Sequence, residues 1–169
     1  VASQKKDMLD CPFCRTPIPE NDADGLAMIQ SRVAKKDPAA IHHLGEVFLF
    51  GSHGLQKDVR RAVELYTEAA ELGSIEALFD LGLSYDRGEG FQEDKAKAVE
   101  YFTKAAMQGH VESRNHLGYF EVGKVNCDRA VRHLLISAKL GYKDSLESIK
   151  NMYTAGLATK DQYAEALTG

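Results

Sequence analysis

A chain of 169 residues is long enough for one well-buried domain or a short stack of repeated units. With 44% hydrophobic and 27% charged residues it is too apolar for disorder, and a formal net charge of -4 gives no general attraction to nucleic acid or an anionic membrane. No uninterrupted apolar run approaches the roughly 20 residues that a membrane-spanning helix needs.

The chain opens on VASQKKDMLD, with no initiator methionine and no basic-then-apolar signal layout, so a fragment of something longer is expected. Its three cysteines, Cys11, Cys14 and Cys127, suit a reducing, intracellular and foremost cytoplasmic compartment rather than a disulfide framework. Cys11 and Cys14 stand in C-P-F-C-R-T-P, a spacing at which two thiolates can grip one zinc ion. C-P-x-C-R resembles the last cysteine pair of a RING-type zinc finger with its proline-containing exit. A complete finger needs further ligand pairs, so the resemblance implies that residues 1–21 are the tail of a truncated RING-like module. No cofactor is then expected in this fragment, and zinc only in the full-length protein, with ligands upstream of Val1. Two other readings stand beside it: a redox pair, and two unliganded cysteines. The redox reading wants a strand before and a helix immediately after, whereas a polar KKDMLD precedes and Pro17 and Pro19 follow.

Residues 22–36 are expected to form a connecting helix, with Leu26, Ile29 and Val33 spaced to cover the open end of the first repeated unit. Beyond that helix the chain repeats. Leu44-Gly45, Leu81-Gly82 and Leu117-Gly118 recur at intervals of 37 and 36 residues. Ala69-Ala70, Ala105-Ala106 and Ser137-Ala138, each followed by a glycine (Gly73, Gly109, Gly141), close the units. Each unit is predicted to be two helices. In helix A of the first two units Ala40, Leu44 and Phe48, and Ala77, Leu81 and Tyr85, share one face. The glycine beside each leucine costs an isolated helix about 1 kcal/mol relative to alanine, so its use must be to admit a neighbouring helix. Turns come next at Gly51–Gly54 and Gly88–Gly90.

Helix B is expected to start at Asp58, Asp94 and Asn126, residue types whose side chains cap free amides, and to carry Ala62, Leu65, Tyr66 and Ala69 or their equivalents inward. The third unit departs from the pattern: its turn is shortened, and Glu121 occupies the aromatic slot of Tyr85. A partial fourth unit keeps Ser145, Ile149, Tyr153 and Gly156 at helix-A spacing, with Lys150 in the glycine position. Thr159 to Gln162 is a capping-box pattern that opens a last helix. Such drift suits a terminal repeat.

The combined pattern, A-x-x-x-L-G-x-x-Y-x-x-G-x-G, a charged turn, then A-x-x-[YF]-x-x-A-A-x-x-G, resembles the Sel-1-like repeat, a relative of the tetratricopeptide repeat. Glu76 to Gly109 match at nearly every marker. The expected fold is all-α, a right-handed α/α solenoid of stacked hairpins with a short irregular N-terminal segment. Its units are 37–73, 74–109, 110–141 and a partial 142–169. The resemblance implies a scaffold or adaptor that holds other proteins or peptides, with no catalytic residues; from charge and hydropathy no nucleic-acid or membrane partner is expected. It also implies that helix A lines the concave side. The residues two before and two after each leucine would then face the groove: His42 and Glu46, Phe79 and Leu83, Asn115 and Tyr119, Glu147 and Asn151. Phe79, Leu83 and Tyr119 would make an apolar anchor patch. Alternatively, Phe79 and Leu83 pack against the next repeat. With a complete finger upstream, the intact protein would be a RING-type ubiquitin ligase, the finger recruiting a ubiquitin-conjugating enzyme and the repeats choosing the substrate.

Other constellations fail on spacing. His42 and His43 are adjacent and His110 and His116 six apart, neither in metal-binding register. Gly88-Glu89-Gly90 leaves a helix rather than a strand, Ser52-His53 has no third member, and Glu64 with Glu68 reads as a solvated face. Cys127 sits at a predicted helix start, where an inert thiol is the ordinary outcome.

Overall fold

The computed structural model describes residues 19–90 and 92–168; the Cys11–Cys14 motif lies outside them. Among the described residues the chain is entirely helical. Helix α1 (Asp22–Val33) leads into four hairpins, α2 (Pro38–Phe50) with α3 (Val59–Glu71), α4 (Ile75–Arg87) with α5 (Lys95–Met107), α6 (Val111–Gly123) with α7 (Cys127–Lys139), and α8 (Lys143–Thr154) with α9 (Lys160–Leu167). Helices α3, α5 and α7 each pack on their own A helix and on the A helix of the next unit, and α9 packs on α8 and α7, so the hairpins nest into a solenoid.

Local chemistry sets the boundaries. Asp37 caps α2 by accepting from the Ala39 and Ala40 amides, with Pro38 in the first turn where its missing N–H does no harm. Ser74 caps α4, accepting from Ala77 N at 3.2 Å. Asp58 and Asp94 cap α3 and α5 as expected. Asn126 occupies the same position before α7, but its side chain makes no capping hydrogen bond. His110 does the equivalent job for α6: its Nδ1 accepts from the Ser113 amide at 3.2 Å. Thr159 and Gln162 form the reciprocal capping box at α9. Gly73, Gly109 and Gly141 adopt φ of 96, 95 and 93°, a left-handed turn that lets the chain leave helix B and start the next helix A.

The helix-A glycines act sterically. A Cβ on Gly45 would lie 2.6 Å from Tyr66, one on Gly82 2.6 Å from Phe102, and one on Gly118 2.8 Å from Leu134. Tyr66, Phe102 and Leu134 occupy one register position on successive B helices, and each is buried. Three apolar clusters run along the stack. The first holds Ile41, Val47 and Leu65 with Ile29 of α1, which packs on the first hairpin alongside Leu26 and Val33. The second centres on Phe102 and Leu117, the third on Leu134, Ile149 and Met152. Each such side chain withdrawn from water contributes about 1.5–3 kcal/mol, and no hairpin encloses its own share alone.

The aromatic slot differs by repeat. Phe48 packs against the first cluster, and Tyr85 stacks on Tyr101 with ring centroids 5.6 Å apart. Tyr153 stacks on Tyr163 in the last hairpin at 5.2 Å. In the third hairpin the same register brings Glu121 towards His133. Glu121 Oε2 and His133 Nδ1 are both buried without a hydrogen-bond partner.

Candidate partner-binding face

Helices α2, α4, α6 and α8 form one row, and side chains bridge each to the next. His42 Nε2–H donates to Asp80 Oδ2 at 2.7 Å, linking α2 to α4. Phe79 of α4 lies against His116 of α6, with ring centroids 5.5 Å apart, and against the capping His110 at 4.6 Å. Asn115 Nδ2 donates to Ser145 Oγ at 2.7 Å, linking α6 to α8. Tyr119 OH and Ser148 Oγ are also 2.7 Å apart. Because the Ser148 hydroxyl donates to the Asp144 carbonyl, Tyr119 is the donor of this bond.

The position two residues before each leucine is therefore a seam between neighbouring A helices rather than an open groove wall. Asn115 corrects the sequence expectation outright: it is buried at 4% exposure, because its amide satisfies the Ser145 hydroxyl inside the stack. His42 is only partly accessible and is committed to Asp80. Phe79 and Leu83 are half-buried in the Phe102 cluster, as in the packing alternative. Tyr119, at 51% exposure, and Glu46, which accepts from His43 Nδ1–H at 2.8 Å, remain presented to solvent. Glu147 and Asn151 are exposed on α8, where Glu147 pairs with Lys150 at 3.3 Å.

Sequence reasoning missed the residues one before the leucine, Asp80 and His116, which receive the seam contacts from the preceding repeat. It also missed a cleft of about 420 Å³ beside Tyr119, lined by His116 and Phe120 together with Asp86, Lys95 and Lys124. The His116 ring lies flat on Phe102, 4.8 Å between centroids, which leaves its edge towards this cleft. The helical period would have flagged both positions, since residues three and four apart share a face.

Electrostatics obey the packing. Burial pushes the His116 imidazole down from its ordinary value, an effect that Asp86 opposes and Arg87 reinforces. Burial alone would lower His42 too. The Asp80 hydrogen bond and charge, with Glu46 and Glu76, outweigh it and hold His42 above 6.5. The Tyr66 phenol is pushed up first by burial and then by Asp80, Glu46 and Glu89. Cys127, the first residue of α7, is a free, partly buried thiol. Among the described residues no group of three or more His, Cys, Asp or Glu side chains could hold a metal ion, and no helix is long and apolar enough to cross a membrane.

A family model of the Sel1 repeat matches residues 38–74, 75–110 and 111–142. The chain belongs to the Sel1 repeat family. A Sel1 repeat protein from Oxalobacter formigenes shares its fold with a TM-score of 0.77 at 24% identity, over 86% of this chain and 61% of that one. The antigen c5321 of uropathogenic Escherichia coli strains, described as displaying an SLR fold, matches with a TM-score of 0.76 at 27% identity, over 88% of this chain and 32% of the antigen. The immunity protein Pa5087 of Pseudomonas aeruginosa has a TM-score of 0.58 at 21% identity, over 90% of this chain and 56% of that one. The chain thus spans less than two thirds of the length of each of these three proteins. No curated protein matches it at a significant level.

Charge is divided unevenly over this Sel1 stack. Helix α2 carries Glu46 and no lysine or arginine, and α4 carries Glu76, Asp80 and Asp86 against Arg87 alone. The B helices α5 and α7 are the reverse, with Lys95, Lys97 and Lys104 against Glu100, and Arg129, Arg132 and Lys139 against Asp128. Helix A of the first two repeats is acidic, and helix B of the second and third is basic.

Proposed function

We propose that this protein is a non-enzymatic scaffold whose helix-A row, on the concave side, holds a protein or peptide partner. Sel1 repeat proteins are generally protein-interaction scaffolds. The observation that carries the reading is the cleft beside Tyr119: a half-exposed amphipathic ring next to Phe120 and His116, with the charged Asp86, Lys95 and Lys124 in the same lining. That composition is what anchors partners at interfaces. Enzyme chemistry would need a nucleophile, a base and an orienting group converging on one cavity. The cleft instead offers His116 with lysines and one aspartate already paired to Lys95 at 3.1 Å.

Tyr119→Ala tests the proposal. Affinity capture with the full chain should lose its partners when this ring is removed, while circular dichroism stays unchanged, because Tyr119 lies outside the core. Capture that is indifferent to Tyr119→Ala would refute the reading.

The second reading, substrate recognition within a RING-type ubiquitin ligase, rests on the C-P-F-C-R motif at Cys11 to Arg15. It predicts that the full-length protein binds zinc in a Cys11- and Cys14-dependent way and binds a ubiquitin-conjugating enzyme. Two zinc-free cysteines there would end it.

A further inference from the structure

The helix-B side of the stack changes character between the second and third repeats. Over α4, between α3 and α5, lies a recess of about 340 Å³ whose lining includes Glu71, Leu78, Tyr101, Lys104 and Gln108. Val59, Lys95 and Cys127 open α3, α5 and α7, and Ile75 and Val111 open α4 and α6. In that register the same five positions one repeat further on are Met107, Arg114, His133, Ile136 and Leu140. The charged and polar rim has become apolar, and it is open to solvent: Met107 is 79% exposed, Ile136 42% and Leu140 56%. Apolar side chains gathered on a surface in this way mark a docking site. The buried Leu78 has become Arg114, which is partly buried and whose side chain makes no hydrogen bond or ion pair with any described residue. Its guanidinium has five N–H donors and no protein acceptor for them. His133 Nδ1 is likewise buried without a partner. Burial and the Arg114 charge push the His133 imidazole down, with Glu121 opposing and Arg129 adding to the effect, so the ring is uncharged at neutral pH. Along α7, Arg129 and Arg132 stand one turn before His133 and Ile136, exposed and with no described counter-ion.

We infer that the surface between α5 and α7, over Arg114 of α6, binds a partner peptide in which an aspartate or glutamate is flanked by large apolar residues. A carboxylate matches the unpaired guanidinium, which can fork both of its oxygens. The flanking apolar side chains would cover Met107, Ile136 and Leu140 and keep water from that pair. A basic segment would bring its charge against Arg114, Arg129 and Arg132. A wholly apolar one would cover the Arg114 donors and leave them unmatched, which is costly. The surface lies on the B helices, away from the helix-A row, so the inference stands independently of the Tyr119 cleft. A stack with both sites would hold two segments at once, one on each side.

Selection of a phage-displayed library of random 12-residue peptides on the immobilised full chain tests this, with the enriched peptides then measured on variants. Arg114→Leu and Ile136→Lys/Leu140→Gln write the residues of the second repeat into the third, so both variants should fold. One group of enriched peptides should carry aspartate or glutamate between large apolar residues. Its affinity should fall about tenfold on either variant and stay unchanged on Tyr119→Ala. Replacing the acid of such a peptide by its amide should cost about tenfold on the parent and nothing further on Arg114→Leu, because the two changes remove one interaction. Neutral or basic peptides released by these variants would overturn the acidic partner. Peptides that Tyr119→Ala releases and both variants retain, with no others, would overturn this surface and leave the helix-A reading standing. No enrichment at all would overturn this surface as well.

Discussion

Gly82→Ala sets two physical effects against each other. In an exposed helix the change is favourable by about 1 kcal/mol, because alanine restricts the unfolded backbone. At this site the new Cβ would sit 2.6 Å from Phe102 Cε1, 2.7 Å from Cδ1 and 3.0 Å from Cζ. Ordinary contact begins at 3.4 Å, so the ring must move by about 0.8 Å. It has little room: Phe102 is fully buried, with Phe79, His116 and Phe120 at centroid distances of 5.8, 4.8 and 6.0 Å. Overpacking a filled core typically costs 1–3 kcal/mol and occasionally more. The clash with a ring that cannot retreat should outweigh the backbone gain, giving a net loss of up to about 2 kcal/mol. Gly123→Ala is the control, since a Cβ there meets nothing within 4 Å, and it should be neutral or mildly stabilising. Urea unfolding followed by circular dichroism reads both. A Gly82→Ala protein as stable as the parent would refute the claim that these glycines exist for helix contact.

Asp94→Ala removes the oxygen that caps Ala96 N and Lys97 N and should cost about 1 kcal/mol, whereas Asn126→Ala, which breaks no capping bond, should cost little; equal losses in urea melts would contradict the assignment. Glu121→Tyr with His133→Tyr would rebuild in the third hairpin the stack of the second and remove two unmatched buried atoms, so the unfolding free energy should rise by about 1–3 kcal/mol; a fall would count against the shared register. Val125 holds φ of 59° in the shortened turn, strained for a β-branched residue, and Val125→Gly should stabilise by up to about 1 kcal/mol, checked by the thermal midpoint. Asp80→Asn should alter the pH dependence of stability. His42 titrates above 6.5 in the folded state, so its ion pair contributes fully below about pH 6.5 and fades as pH rises through the raised value. The parent should therefore lose more stability than Asp80→Asn between pH 6 and 8.5, and an NMR titration of His42 should show the raised value only in the parent.

The hairpins were legible in the amino-acid order because their signals are local. Leu44-Gly45 and its echoes mark helix A, Asp58 and Asp94 open helix B, and left-handed Gly73, Gly109 and Gly141 close it, each acting over one or two turns of backbone. The candidate face was legible only in part. Tyr119 and Glu46 are open to solvent, but Asn115 has the same register as His42 and Phe79 and is buried, because Ser145, thirty residues away, offers its hydroxyl.

By itself the sequence determined the periodicity, the caps and the small residues at which helices can touch, since backbone geometry within one hairpin answers to nearest neighbours. Which helix-A side chains become seam and which remain surface was decided by tertiary structure alone. The pairs His42–Asp80, Phe79–His116 and Tyr119–Ser148 each join different repeats. Whether a polar group faces a partner or the solvent depends on the offset between neighbouring hairpins, a distance that no single repeat contains.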